Sequence, residues 1–137
     1  MRKFLMLVLC TCCVASTVNA EAPGTMRVDY FHSGNHETEM FSLDQVVIEP
    51  LPWTGNMAQP HDVTSRGKYL FEIVDPDSGR VAWSRSFSSI YGEWETIGEA
   101  REINRSFHES VRFPAQESVF HLVVPFIDFS EIRVKRA

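Results

Sequence analysis

The chain has 137 residues, 44% of them hydrophobic, with 13 basic against 18 acidic residues and a formal charge of −5. That balance excludes the basic face that nucleic acid or an anionic membrane requires of a partner. The length fits one compact domain with a core of its own, and neither an internal repeat nor a low-complexity linker divides it.

Residues 1–20 set Arg2 and Lys3 ahead of the apolar run FLMLVLCTCCVAS and end on Val18-Asn19-Ala20, with small residues at the cleavage positions. This predicts an export signal removed after Ala20, leaving residues 21–137 as one domain in a secreted, periplasmic or cell-envelope location. The apolar run holds about a dozen residues where a membrane span needs roughly twenty, so no membrane span is expected. Cys10, Cys12 and Cys13 all fall inside the signal, and the residues before them, Leu9, Thr11 and Cys12, suit lipid attachment poorly. Cleavage takes away Arg2 and Lys3 and no acid, leaving 11 basic against 18 acidic residues, a charge of −7, and no cysteine. Such a domain is held by its core without disulfides, which points to a bacterial envelope protein.

From Thr25 onward, alternation of apolar and polar residues predicts strands. TMRVDYFHS sets Met26, Val28 and Tyr30 on one face, and FSLDQVVIEP carries Leu43, Val47 and Ile48 up to a stop at Pro50 and Pro52. The next stretch, to Gly67, is rich in proline, glycine and small polar residues and reads as the longest loop, with Trp53 and Met57 folded back over the core. KYLFEIVD, the turn PDSG and RVAWSRSF form a hairpin in which Tyr69, Phe71 and Ile73 share one face and Val81, Trp83 and Phe87 another. SSIYGEWETIGEA, residues 88–100, is a connection with a short helical turn after Thr96. EINRSFHESVRF sets Ile103, Phe107, Val111 and Phe113 on one side, with Arg105 and Glu109 at an edge or paired with each other. SVFHLVVPFI and the terminal EIRVKRA complete the set. The expected fold is all-β, an antiparallel β-sandwich of about seven strands.

The run HSGNHETEM, residues 32–40, resembles a zinc-peptidase motif in part, with His32 and His36 four apart. The intervening Ser33, Gly34 and Asn35 favour a turn over the helix that would bring both rings to one metal, and Met40 stands where a ligand following His36-Glu37 would be. His61, His108 and His121 read as surface histidines, Asp75 and Asp77 as turn residues without the rest of a calcium loop, and the serines of SFSS and RSFHES as outward strand residues. The acid pairs Glu93 with Glu95 and Glu99 with Glu102 read as solvated surface. No catalytic residue, cofactor-binding residue or metal ligand is assigned. The candidate interface is the loop holding Tyr91, Glu93 and Trp94, whose rings either serve as a platform for a protein or glycan or cap the core.

Taken together, TMRVDYFHSGN, FSLDQVVIEPLPWTGN, RGKYLFEIVDPDSGRVAWSRSFSSIYGEWET and NRSFHESVRFPA resemble the N-terminal domain of secreted bacterial metallopeptidases of the IgA-peptidase type, metallopeptidase family sixty-four. The resemblance spans roughly residues 25–125. It implies a non-catalytic β-sandwich that precedes a zinc catalytic domain bearing the His-Glu-x-x-His ligands, and it names that catalytic domain as the partner. HETEM then belongs to the accessory domain and is no zinc site. The sequence is expected to stop where that catalytic domain would begin, as a truncated or stand-alone product. An independent exported module that binds an extracellular protein or glycan is the alternative.

Overall fold

A computed structural model of the protein describes residues 22–115 and the backbone of 120–124 and 127–132. The expected export signal, and Arg133–Ala137 of the expected terminal strand, lie outside the described residues. The strands are β1 (Gly24–Gly34), β2 (Glu39–Pro52), β3 (Tyr69–Val74), β4 (Val81–Phe87), β5 (Arg105–Pro114), β6 (Phe120–Val124) and β7 (Ile127–Ile132). Between β4 and β5 lie a short helix, α1 (Ile90–Trp94), and a 3-10 turn over Gly98–Arg101. Every strand pairing is antiparallel, in a three-stranded sheet of order β2-β1-β5 and a four-stranded sheet of order β4-β3-β6-β7. The protein is all-β in its extended elements, as its alternating pattern predicts.

β1 is central in its sheet because its inward stripe is apolar and its outward stripe can be satisfied by neighbours. Met26, Val28 and Tyr30 are buried and join Val111 and Phe113 of β5, Phe71 and Ile73 of β3 and Trp83 of β4 in one core cluster. That cluster draws on both sheets. On the outward stripe, Arg27 donates to both oxygens of Asp29 at 2.8 and 3.0 Å, and Gln45 of β2 donates to the same carboxylate at 2.9 Å. Burial pushes the Asp29 carboxyl up, but those hydrogen bonds outweigh it and hold the group below its ordinary range.

The β3–β4 hairpin forms where its alternation and turn residues place it. Asp75 Oδ1 accepts from the amides of Asp77 and Ser78 at 3.0 and 2.9 Å, and Gly79 closes the turn at φ 68°. The carboxylate thus caps a turn.

Several boundaries differ from expectation. β2 runs on through Pro50 to Pro52, because it is an edge strand and its pairing shifts between Gly24–Pro52 and Thr25–Glu49, leaving Pro50 in the irregularity where a missing N–H is tolerated. The strand expected over residues 118–127 is divided, with β6 ending at Val124 and β7 starting at Ile127 on either side of Pro125, and β7 precedes the position expected for the last strand. Helical structure begins at Ile90, earlier than expected, since Ser89 caps α1 by accepting from the Gly92 amide at 2.9 Å. Trp53 packs against the core, whereas Met57 is exposed.

Trp83 is 2% exposed and meets Trp53 edge to face at a centroid distance of 5.5 Å. Trp83→Ala is expected to cost about 3–5 kcal/mol, read by chemical denaturation, because the cavity would open between strands of both sheets. A variant melting within a degree or two of the parent would contradict this packing.

Candidate functional site

The inward stripe of β1 does not end at Tyr30. His32 continues it with no exposed surface, so an ionisable ring lies where the apolar pattern calls for a core residue. β5 does the same with Glu109, which falls in the Phe107, Val111 and Phe113 stripe, and the register sets Tyr30 opposite Glu109 and His32 opposite Phe107. Glu39 reaches the ring from the first residue of β2.

The geometry is closed on every side. His32 Nε2 lies 2.7 Å from Glu39 Oε1 and Nδ1 lies 3.2 Å from Glu109 Oε2. A carboxylate oxygen thus lies at each ring nitrogen. Its faces stack on Phe41 at 3.9 Å and on Tyr91 at 4.0 Å between centroids, and the Tyr69 ring stands edge-on at 5.3 Å. Tyr69 donates its hydroxyl to Glu39 Oε1 at 2.6 Å, Tyr30 donates to Glu109 Oε2 at 3.1 Å, and the Tyr91 amide donates to Glu109 Oε1 at 3.2 Å. Tyr91 sends its own hydroxyl to the carbonyls of Asn35 and Thr38 at 2.7 and 2.8 Å, fixing the β1–β2 turn.

The electrostatics follow from this closure. Burial pushes the Glu109 carboxyl up, but hydrogen bonds from His32, the Tyr91 amide and Tyr30 outweigh it and leave the group below the ordinary carboxylate range. Burial, reinforced by Glu109, pushes the Tyr30 hydroxyl well above its ordinary value, and burial with Glu39 does the same for Tyr69. Both phenols therefore remain donors across the physiological range.

Ser89 Oγ lies 3.5 Å from His32 Nδ1, so hydroxyl, imidazole and Glu39 stand in the order of a nucleophile triad. The geometry of a working triad is not met. Nδ1 is closer to Glu109, Ser89 is buried as the cap of α1, and both faces of the ring are covered. A metal fares no better, since the two carboxylates sit on opposite ring nitrogens and no single ion reaches all three groups. What the arrangement does is bind β1, β2, β3, β5 and α1 at one point.

Of the other sequence candidates, Ser89, Glu109 and Tyr91 join this cluster and the rest lie apart from it. His36 is exposed, with Nδ1 3.3 Å from the Ala100 carbonyl, so His32 and His36 do not converge. His61 and His108 are exposed, in keeping with surface histidines, and the side chain of His121 lies outside the described residues. Ser89 is buried, contrary to its reading as an outward serine. Arg105 and Glu109 do not pair: Arg105 holds Glu99 at 2.6 and 2.9 Å while Glu109 points inward. Asp29, Asp44 and His108 bring ligand atoms within 4.8 Å of one another, but the cation already seated on Asp29 is the Arg27 guanidinium. Of the candidate interface residues, Tyr91 and Trp94 are buried and Glu93 is exposed. Trp94 Nε1 donates to Glu99 at 2.7 Å, and Lys68 pairs with Glu95.

Sequence reasoning missed this cluster although a signal was present. The i, i+2 stripe Met26, Val28, Tyr30 reaches His32, and the stripe Phe107, Val111, Phe113 passes through Glu109. Complementary titratable groups on two inward stripes that pair across a sheet are the signature of a buried network.

Among the described residues the buried His32 and its two carboxylates hold strands of both sheets and α1 together. Residues 19–136 match the family model described as Peptidase M64 N-terminus, and the chain belongs to that family. A comparison with curated proteins gives no match. Among the described residues no helix is long and apolar enough to cross a membrane.

The depressed carboxyl gives Glu109 a pH signature. A group whose folded pKa is lowered contributes stability above its unfolded value and loses that contribution as pH falls through the folded value. Glu109→Gln is expected to cost about 1.5–3 kcal/mol at neutral pH. The gap between variant and parent should narrow as pH falls below about 4, read by urea denaturation at several pH values. A gap independent of pH would mean that the charge of Glu109 contributes nothing.

Proposed function

We propose that this chain is a non-catalytic, exported β-sandwich that docks onto the zinc-bearing catalytic domain of a peptidase of its family, or helps present substrate to it. The observation that carries the reading is the match to a peptidase N-terminal family over residues 19–136. The commitment of His32, Glu39 and Glu109 to holding strands together supports a role outside the chemical step. Residues 1–20 act as the export signal, cleaved after Ala20, and the core shared by the two sheets supports a face-to-face packing of the layers.

The docking surface in this reading is the segment around Tyr91, Glu93 and Trp94. Its two rings pack inward onto Phe107 and each other and give the segment a fixed shape, while Glu93, with Ile90 and Ile97, faces out. Exposed isoleucines beside a rigid aromatic base supply apolar contact at little entropic cost.

The test mixes the purified chain with a separately purified zinc catalytic domain from a member of the family. Binding is expected, and Ile90→Lys with Glu93→Lys should weaken it at least about tenfold. The chain alone should retain well under one zinc after dialysis and release no peptides from casein. Chelator-sensitive hydrolysis by the chain alone would overturn the non-catalytic reading, and unchanged affinity in the double variant would remove this segment from the interface.

A further inference from the structure

Away from the His32 cluster, the loop between β2 and β3 lies over β4 and encloses a cleft of about 190 Å³ lined by Gln59, His61, Asp62, Val63, Thr64 and Arg85. Arg85 is immobilised in it. Its guanidinium lies over the Trp83 ring at 3.9 Å; Nη1 donates to the carbonyls of Pro60 and Ser84 at 2.9 and 2.6 Å, and Nη2 donates to the Gln59 carbonyl at 2.7 Å. These partners are neutral. Among the described residues none comes within ion-pair distance of Arg85, although the charge of the Asp62 carboxylate acts on it through space, and of its N–H groups, Nε–H and the second Nη2 hydrogen are uncommitted.

Asp62 shares the cleft but does not close on the arginine. Its Oδ1 accepts from the Thr64 amide and hydroxyl, each at 2.8 Å, and its Oδ2 accepts from the Ser86 amide at 2.8 Å. Those donors hold the carboxylate ionised, Ser86 first, and turn it into a brace for the loop. The Asp62 amide in turn donates to Ser84 Oγ at 2.9 Å. The loop is thus pinned to β4 on both sides of the cleft, which leaves a preformed cation beside the exposed His61 ring and a Val63 side chain that is 85% exposed at the lip.

We propose that this cleft binds the carboxylate of a peptide through Arg85. A planar guanidinium fixed by stacking and by carbonyls presents its remaining donors without further loss of side-chain freedom, and planar two-oxygen acceptors match that fork best. The His61 ring at the cleft carries a further N–H donor, and Val63 supplies apolar contact to the residue bearing the carboxylate. That pairing favours an amino-acid carboxylate over a bare inorganic anion. The α-carboxylate of a chain end and the side-chain carboxylate of an acidic residue share this chemistry. The inference needs no second domain and stands apart from the docking reading.

The test is a two-dimensional NMR titration of the isotopically labelled chain with N-acetylalanine, N-acetylglutamate α-amide and the neutral N-acetylalanine amide. Saturable shifts at the Arg85 Nε–H and at the amides of Asp62, Thr64 and Ser86 are expected with the carboxylates in the millimolar range, and none with the neutral amide. Tighter binding of N-acetylalanine identifies a chain end as the source; tighter binding of the glutamate derivative identifies a side chain. Arg85→Gln should weaken binding at least about tenfold, and Arg85→Lys, which keeps charge but not the fork, should lose most of the same effect. The comparison of acid with amide on the parent chain stands even where a variant loosens the loop. No saturable shift with either carboxylate, or equal shifts with the neutral amide, would overturn the proposal.

Discussion

A buried imidazole held between two carboxylates is the constraint on which the arrangement of this domain depends. His32 has no access to water, and an ionisable group in that position is tolerated only when its hydrogen-bonding groups are matched inside the protein. The matches come from four directions: Glu39 at the start of β2, Glu109 on β5, the Tyr69 hydroxyl of β3 through Glu39, and the Tyr91 amide of α1 through Glu109. Each partner belongs to a different element, so satisfying one ring fixes the relative positions of five segments. Stacking on Phe41 and Tyr91 fixes the ring plane as well. Removal of any one partner would leave a buried charge or donor uncompensated, which costs more than the pair itself contributes.

The same constraint accounts for α1. A five-residue helix has little stability of its own, and its glycine at position 92 lowers that further. Gly92 is nonetheless required, since a Cβ there would come within 2.9 Å of the Tyr69 ring. Ser89 caps the helix, Tyr91 roofs His32 and ties down the β1–β2 turn, and Trp94 packs on Phe107. The aromatic content of SSIYGEWE is therefore spent largely inward, which leaves Ile90 and Glu93 facing out.

Much of the fold is written in period-two alternation and turn chemistry. The stripes of β1, β3 and β5, the β3–β4 hairpin and the turn at Asp75 were legible because each depends on neighbours in sequence. The extension of β2 through Pro50 was less so, since a proline's effect depends on whether its strand is an edge or a bulge, which only the sheet order decides. The buried cluster was the hardest to read. His32 and His36 share the spacing of a zinc pair, yet the turn expected between them separates the two rings, and the partners that matter to His32 lie 7 and 77 positions away. Arg85 presented the same difficulty: it is held by two carbonyls of the β2–β3 loop, by one carbonyl of β4 and by a tryptophan two residues back, a combination that no local pattern announces.

His32 and its carboxylates act as one lock for α1 and the β1–β2 turn. Amide hydrogen exchange compared between the parent and His32→Phe reads this lock, because phenylalanine keeps the stacking and removes both ring nitrogens. Exchange is expected to accelerate by at least about tenfold across residues 35–39 and 90–97 while the β3–β4 hairpin keeps its protection. Equal protection of those two segments in parent and variant would show that the cluster locks nothing.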